Sequence, residues 1–226
     1  MWESENQDES PLMTTDNFHG IDGLVGIPTT PLDLGRVAGR PSLTTFPHGV
    51  VADFGGGNEH PCSWPLVPVT NWRPGLRSVS ATMERKDRLA ALSLTTDGAC
   101  EAALNIRAKE EHPGVFAGWL IGGMGYMLGW IERLRTEANV VVEFALAINL
   151  PVFGRPIPLM RFGASDFSDF DAGGSIPVGE NKFPVSSIGP SDEFNQHLKR
   201  FDEDIWNLAG QDTQLTSADF RFTQQR

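Results

Sequence analysis

The side chains best suited to chemistry lie in one glycine-rich stretch, loop 53–62. Its four candidate residues are of types that ligate metals or transfer protons: Asp53, Glu59, His60 and Cys62. The three glycines between them can turn backbone N–H groups toward an anion. The stretch lacks the Lys-Ser/Thr pair of a phosphate-binding loop, and it has no second ligand pair at zinc-site spacing. It therefore predicts either a surface loop or, as an alternative function, a small hydrolase or metal-dependent enzyme.

Other charged clusters favour solvated turns. The acidic segment 166–174 lacks the alternating carboxylates and the final Glu of a calcium loop. A local excess of positive charge is interleaved with Glu84 and Asp87 and comprises Arg73, Arg77, Arg85, Lys86 and Arg88. The chain has no G-x-S-x-G elbow, and its five histidines are scattered. These patterns favour a non-catalytic protein, and we expect neither a cofactor nor a bound metal.

The clearest candidate for a partner-binding surface is a helix predicted over 191–209. Ser191 is a suitable N-cap, and Gly210 is placed to end the helix. Apolar residues follow at spacings of four, three, four and three, which puts them on one face: Phe194, Leu198, Phe201, Ile205 and Leu208. Such a stripe is either part of the core or a seam for a protein partner.

The central stretch 113–131 carries no charge over 19 residues. A helix of that length spans roughly 28 Å, close to the thickness of a bilayer core, so a membrane anchor is one interpretation. Six glycines lower its hydrophobicity, however, and the apolar spacing continues past it to Leu134. The pattern favours a helix over 113–136 buried in a soluble core. A partner-binding helix is a third possibility.

Alternating residues predict the sheet that this helix covers. Val79, Ala81 and Met83 alternate with polar residues in a first strand, and two further strands complete an antiparallel meander over 76–107. Thr96-Asp97-Gly98 is typical of a type I′ hairpin turn. A fourth strand is expected over 139–150, ended by Pro151. The order βββαβ indicates an α+β fold.

The remaining segments are rich in proline, glycine or acidic residues. We expect a disordered acidic tail at 1–10, and a Pro/Gly-rich arm at 11–75 with short strands at 50–54 and 65–69. The α+β core domain would span 76–210, with loops over 151–190. A C-terminal tail would follow at 211–226, which Phe220 and Phe222 could pin to the core.

Composition limits the partners. The net charge of −11 argues against nucleic acid and against anionic membrane surfaces, because both attract clustered Lys and Arg. The acidic N-terminus does not resemble a signal peptide, and Cys62 and Cys100 give little support for a disulfide. We expect a cytoplasmic protein-binding or assembly module, whose partner is another protein or a second copy of the chain.

Overall fold

The computed structural model describes residues 18–44, 48–53, 59–62, 71–85, 88–107, 114–160, 172–211 and 219–224. The first strands within them are β1 (Phe18–Pro28), β2 (His48–Asp53), β3 (Glu59–Cys62), β4 (Arg73–Pro74), β5 (Ser78–Arg85), β6 (Arg88–Thr95), β7 (Cys100–Arg107) and β8 (Val115–Phe116). There follow α1 (Ala117–Ala138), β9 (Phe144–Val152), β10 (Ile157–Met160), β11 (Ala172–Ile176), β12 (Gly179–Lys182), β13 (Ser186–Ile188), α2 (Phe194–Leu208) and β14 (Asp219–Gln224).

The main sheet is antiparallel, with the strand order β12-β9-β1-β7-β6-β5-β4, and β13 also pairs with β9. The predicted meander is confirmed as β5, β6 and β7, with Thr82 opposite Ala91 and Ala91 opposite Ala103. Only Gly98 has a positive φ in the turn between β6 and β7, and its N–H donates to the Thr95 carbonyl. The turn is therefore a type I turn with a glycine bulge, and the prediction of type I′ was wrong.

Strand β1 lies in the middle of this sheet, between β7 and β9, although the sequence placed its residues in an irregular arm. Its ladder with β7 shifts between Ile21 and Leu24, and its ladder with β9 shifts between His19 and Leu24, around Gly23 with φ +85°. This bulge adds one residue and breaks the period-two alternation by which a strand is recognised. The prediction of an irregular arm was therefore wrong for the residues of β1, because the bulge hides the strand pattern in the sequence. The strand expected near residue 50 is confirmed as β2, and the one at 65–69 lies outside the described residues.

Strand β9 begins at Phe144 and continues through Pro151 to Val152, so the predicted bounds were wrong at both ends. Residues 149–151 have no register partner in β1, because the β1 bulge interrupts the ladder there. Pro151 consequently removes no regular ladder bond to β1, and on its other side it stands opposite Glu180 of the short edge strand β12. Residues 151–190, expected to be loops, include β10 to β13, whose few residues each give too short a pattern to recognise.

Helix α1 confirms the predicted central helix but begins four residues late. Val115–Phe116 form β8 and pair in parallel with Leu159–Met160, which keeps them out of the helix. Pro113 lies outside the described residues. The helix ends at Ala138, where Asn139 takes the left-handed conformation with φ 52°.

The main sheet and a small sheet of order β14-β2-β3 cover α1 from two sides, and α2 also packs against it. Fifteen of the 22 residues of α1 are buried. Cys100 of β7 lies 3.6 Å from the sulfur of Met127, and β2 packs on Gly125 from the other side. Its neighbours within the protein thus explain why the part of the helix from 117 to 131 carries no charge. Among the described residues, no helix combines the length and apolar character needed to cross a bilayer.

Arg135 fixes the end of α1 to the main sheet. Its guanidinium donates to the carbonyls of Val142 at 2.7 Å, Gly189 at 2.7 Å and Ile188 at 2.6 Å. Burial lowers the pKa of Arg135, and the charge of Glu132, 3.6 Å away, opposes that change. The side chain thereby joins α1 to the start of β9 and to the end of β13.

The packing around Gly125 leaves no room for a larger side chain. A Cβ placed there would lie 2.0 Å from Cγ2 of Val50. We expect Gly125→Ala to lower the free energy of unfolding by about 1–3 kcal/mol, although alanine favours helices. Chemical denaturation of the original chain and of the variant measures this difference in the free energy of unfolding. Val50→Ala in the same chain should recover part of the loss, and strictly additive effects of the two substitutions would contradict the contact.

Arg135→Lys should also destabilise the protein, because lysine keeps the charge but cannot donate to all three carbonyls in this geometry. Buried carbonyls without a donor cost about 1–3 kcal/mol each, so we expect a total loss of about 3 kcal/mol. Arg155→Lys, at an exposed site, is the control and should leave the denaturation midpoint unchanged. Equal midpoints for the two variants would refute the structural role of Arg135.

Candidate functional site

The predicted stripe of α2 belongs to the core of this fold. Phe194, Leu198, Phe201 and Ile205 are buried, and Leu208 is partly buried against the same cluster. The Phe194 ring lies 5.1 Å from that of Phe222, and the Phe201 ring lies 5.2 Å from that of Phe183. A partner could reach this stripe only by displacing elements of the chain itself. Within the segment expected to be a C-terminal tail, residues 219–224 form β14, in which Phe220 is buried.

The ends of α2 agree only partly with the sequence. Gly210, with φ +78°, ends the helix as expected, and its N–H donates to the Asn207 carbonyl. Ser191 does not act as the N-cap. It begins a short 3-10 turn, Ser191–Glu193, and no side chain caps either that turn or α2. The expected capping bond was therefore wrong.

The two carboxylates of loop 53–62 meet a cation from another strand. Asp53 and Glu59 are opposite each other in the ladder of β2 and β3. Arg221 of β14 lies 3.2 Å from Oδ2 of Asp53 and also forms an ion pair with Glu59. The three charges form an exposed bridge across the small sheet, and residues 54–58 between the two carboxylates lie outside the described part.

Cys62 points away from these carboxylates. It is opposite Val50, which is three residues from Asp53 and therefore on the other face of β2. Burial raises the pKa of the Cys62 thiol to about 12, and the charge of Asp202 adds to the effect. A thiol that stays protonated is a poor nucleophile and a poor metal ligand.

The four predicted loop residues are thus not gathered into one centre. His60 pairs with Ala52 in the ladder, but nothing is described of its side chain. Within the described ranges, no three His, Cys, Asp or Glu side chains are grouped so as to hold a metal ion.

The basic cluster is also divided by the fold. Arg73 and Arg77 lie at one end of β5, whereas Arg85 and Arg88 lie at the other end. An eight-residue strand places these ends about 23 Å apart, too far to hold a single phosphate. Lys86 and the acidic residues 166–171 lie outside the described ranges.

The feature that sequence reasoning missed is the outer face of the main sheet, opposite α1. Large apolar residues point inward, yet the outward positions also carry apolar side chains. We call this set the outer apolar patch: Val25, Ile27, Leu89, Ala91, Ala103, Ala145 and Ala147. Ile27 is 53% exposed although its strand is central, and the other members are partly exposed. The register places Ile27 beside Ala145 and Val25 beside Ala147.

Charged and polar side chains lie within this patch as well as around it. Glu101, on the outward face of β7, is directly opposite Val25 and accepts a hydrogen bond from Ser93 at 3.4 Å. Lys182 and Glu180 form an ion pair of 2.6 Å on the edge strand β12. Glu143, just before β9, accepts a hydrogen bond from Ser187. The outer face therefore mixes apolar and polar side chains, as protein interfaces commonly do. The sequence signal was β6, where Leu89 and Ala91 are apolar on the outward face.

The two buried thiols give a direct test of this packing. Burial raises the pKa of both Cys62 and Cys100 to about 12. We expect no reaction with a thiol reagent at pH 8 in the folded protein, and reaction of both residues in denaturant. The stability tied to the protonated thiols is complete below the pKa of an unfolded cysteine, about 8.5, and is lost as the pH rises toward 12. Rapid labelling of Cys62 in the folded protein would contradict its position.

The chain was also compared with known proteins. No protein-family model, no curated protein and no solved structure matches it. The candidate interface therefore depends on the geometry of this chain alone.

Proposed function

We propose that this chain is a non-catalytic binding or assembly module, and that a protein partner docks on the outer apolar patch. The observation that carries the proposal is the chemistry of the outer face. The exposed face of an antiparallel sheet is normally polar, whereas here seven outward residues of four neighbouring strands are apolar. Exposed apolar side chains grouped on one sheet face are a common mark of protein interaction sites, and here Ile27 and Val25 of β1 lie beside Ala145 and Ala147 of β9.

The energetics favour a binding role for this face. Each fully buried aliphatic side chain contributes about 1.5–3 kcal/mol relative to full exposure. Ile27, at 53% exposed, retains about half of that gain for a partner that covers it. The small alanines add less individually, but they lose almost no side-chain entropy on docking. A partner can thus gain affinity here without displacing any element of the fold.

The groups that suggested catalysis support this proposal by their engagement elsewhere. Arg221 forms ion pairs with Asp53 and Glu59, and the Cys62 thiol is buried and protonated. The enzyme alternative based on loop 53–62 would need residues 54–58 to supply a further group. We propose the cytoplasm as the location, since Cys62 and Cys100 are both free thiols, as is usual in a reducing compartment.

Photo-crosslinking in the producing cells tests the proposal. A photoreactive amino acid replaces Ile27 in the patch or, as a control, Val141, which is 92% exposed in the segment before β9. We expect one discrete protein adduct from position 27 and none from position 141. Ala147→Asp, beside the probe, should remove the adduct by placing a charge in the interface.

Two results would count against the proposed function. One is equal labelling at positions 27 and 141, which indicates only random collisions. The other is an adduct that survives Ala147→Asp in a chain whose thermal melting is unchanged. Either result would show that the outer apolar patch is not the docking surface.

A further inference from the structure

Residues 31–44, which we call the strap, lie in the connection between β1 of the main sheet and β2 of the small sheet. Their one regular element is a short 3-10 turn, Pro41–Leu43. We infer that the strap opens as a unit while both sheets stay folded, and that an ion pair between Arg40 and Glu137 of α1 is its latch. This device does not involve the outer apolar patch, so it is independent of the proposed function.

One face of α1 provides the contacts that close the strap. Trp130, Arg133 and Glu137 follow one another at spacings of three and four residues, so they lie in one row along the helix. The indole N–H of Trp130 donates to the carbonyl of Leu43 at 3.0 Å. Nε of Arg133 donates to the carbonyl of Ser42 at 2.7 Å. These bonds hold the 3-10 turn against the second half of the helix.

Arg40 and Glu137 form the charged part of this closure. The guanidinium of Arg40 donates to Oε2 of Glu137 at 2.7 Å and to the carbonyl of Leu34 at 2.7 Å. Oε1 of Glu137 lies 3.6 Å from Nε of Arg133, so the carboxylate bridges two cations. Both members of the Arg40–Glu137 pair are partly exposed, and dissolved ions therefore screen their attraction. The strap is thus closed by an interaction that responds to ionic strength.

The remaining contacts of the strap include few backbone bonds. Its buried side chains are Leu32, Leu34, Val37 and Leu43. Among the described residues, two backbone bonds join it to another segment, from the N–H groups of Leu32 and Leu34 to the carbonyls of residues 97 and 96. By contrast, β6 is paired on both sides along nearly its whole length. Segments with few ladder bonds open at a lower free energy than core strands do.

Two glycines allow the strap to bend. Gly35 has φ +59° and Gly39 has φ +77°, and a Cβ built at either residue would meet no atom within 4 Å. Neighbouring side chains therefore do not restrain these turns on the side where a side chain would project. When the strap opens, it uncovers Trp130, which is fully buried in the closed form.

Amide hydrogen exchange of the full chain, measured by NMR where exchange reports the opening equilibrium, tests the inference. The N–H groups of Leu34 and Leu43 report on the two ends of the strap. We expect them to share one opening constant, at least about tenfold larger than that of the β6 amides. The strap constant should depend only weakly on denaturant, because local opening exposes little surface. It should rise about threefold between about 20 and 300 mM NaCl.

A matched pair of variants tests the latch. Glu137→Gln should raise the opening constant of the strap about fivefold, the upper end for a partly exposed ion pair, and should remove the salt effect. Glu180→Gln removes an ion pair of the same kind on β12 and should leave the opening constant of the strap within about twofold of the original. If Glu137→Gln does not fold, the salt series on the original chain still tests the latch.

Two outcomes would overturn the inference. If the amides of the strap exchange with the free energy and the denaturant dependence of the β6 amides, the strap is a fixed part of the core. If neither salt nor Glu137→Gln changes the opening constant, the Arg40–Glu137 pair is not a latch.

Discussion

The fold depends on enclosing helix α1, whose first 15 residues carry no charge. The backbone of α1 reaches β2 closely because Gly125 has no side chain, and Val50 fills the space that a Cβ would need. On the other side the helix meets the inner face of the main sheet, where Cys100 contacts Met127. Neither sheet can move away without exposing apolar surface, since the helix between them is buried over most of its length. The rest of the chain is arranged around this enclosure.

Enclosure also determines where polar groups are found. Arg135 donates hydrogen bonds to three backbone carbonyls from two separate segments, which no apolar side chain could do. Arg221 similarly gathers the carboxylates of Asp53 and Glu59. These charged side chains therefore help to hold the structure together. The inner face of the main sheet is fully engaged by the core, whereas its outer apolar patch has no role in that packing.

Sequence reasoning succeeded where local pattern decides structure. Alternation predicted β5 to β7, and the uncharged run predicted α1, because periodicity reflects burial directly. It failed where pairing between segments far apart in the sequence decides the structure. The bulge at Gly23 disguised β1, and β12 and β13 form only because β9 offers an edge. The outer apolar patch was missed for the same reason: its members come from strands far apart in sequence, and no local window contains Val25, Ala91 and Ala147 together.

The central position of β1 governs how the chain can fold. Val25 pairs with Ala147, and in the small sheet His48 pairs with Gln224, so both sheets join early residues to late ones. Such contacts close long loops and are slow to form. During synthesis β1 must wait for β7 and β9, with its ladder groups unpaired in the meantime. Glycines and a bulge interrupt the strand pattern of β1. These same features make β1 a poor template for the pairing of other chains, so they reduce aggregation while β1 is unpaired.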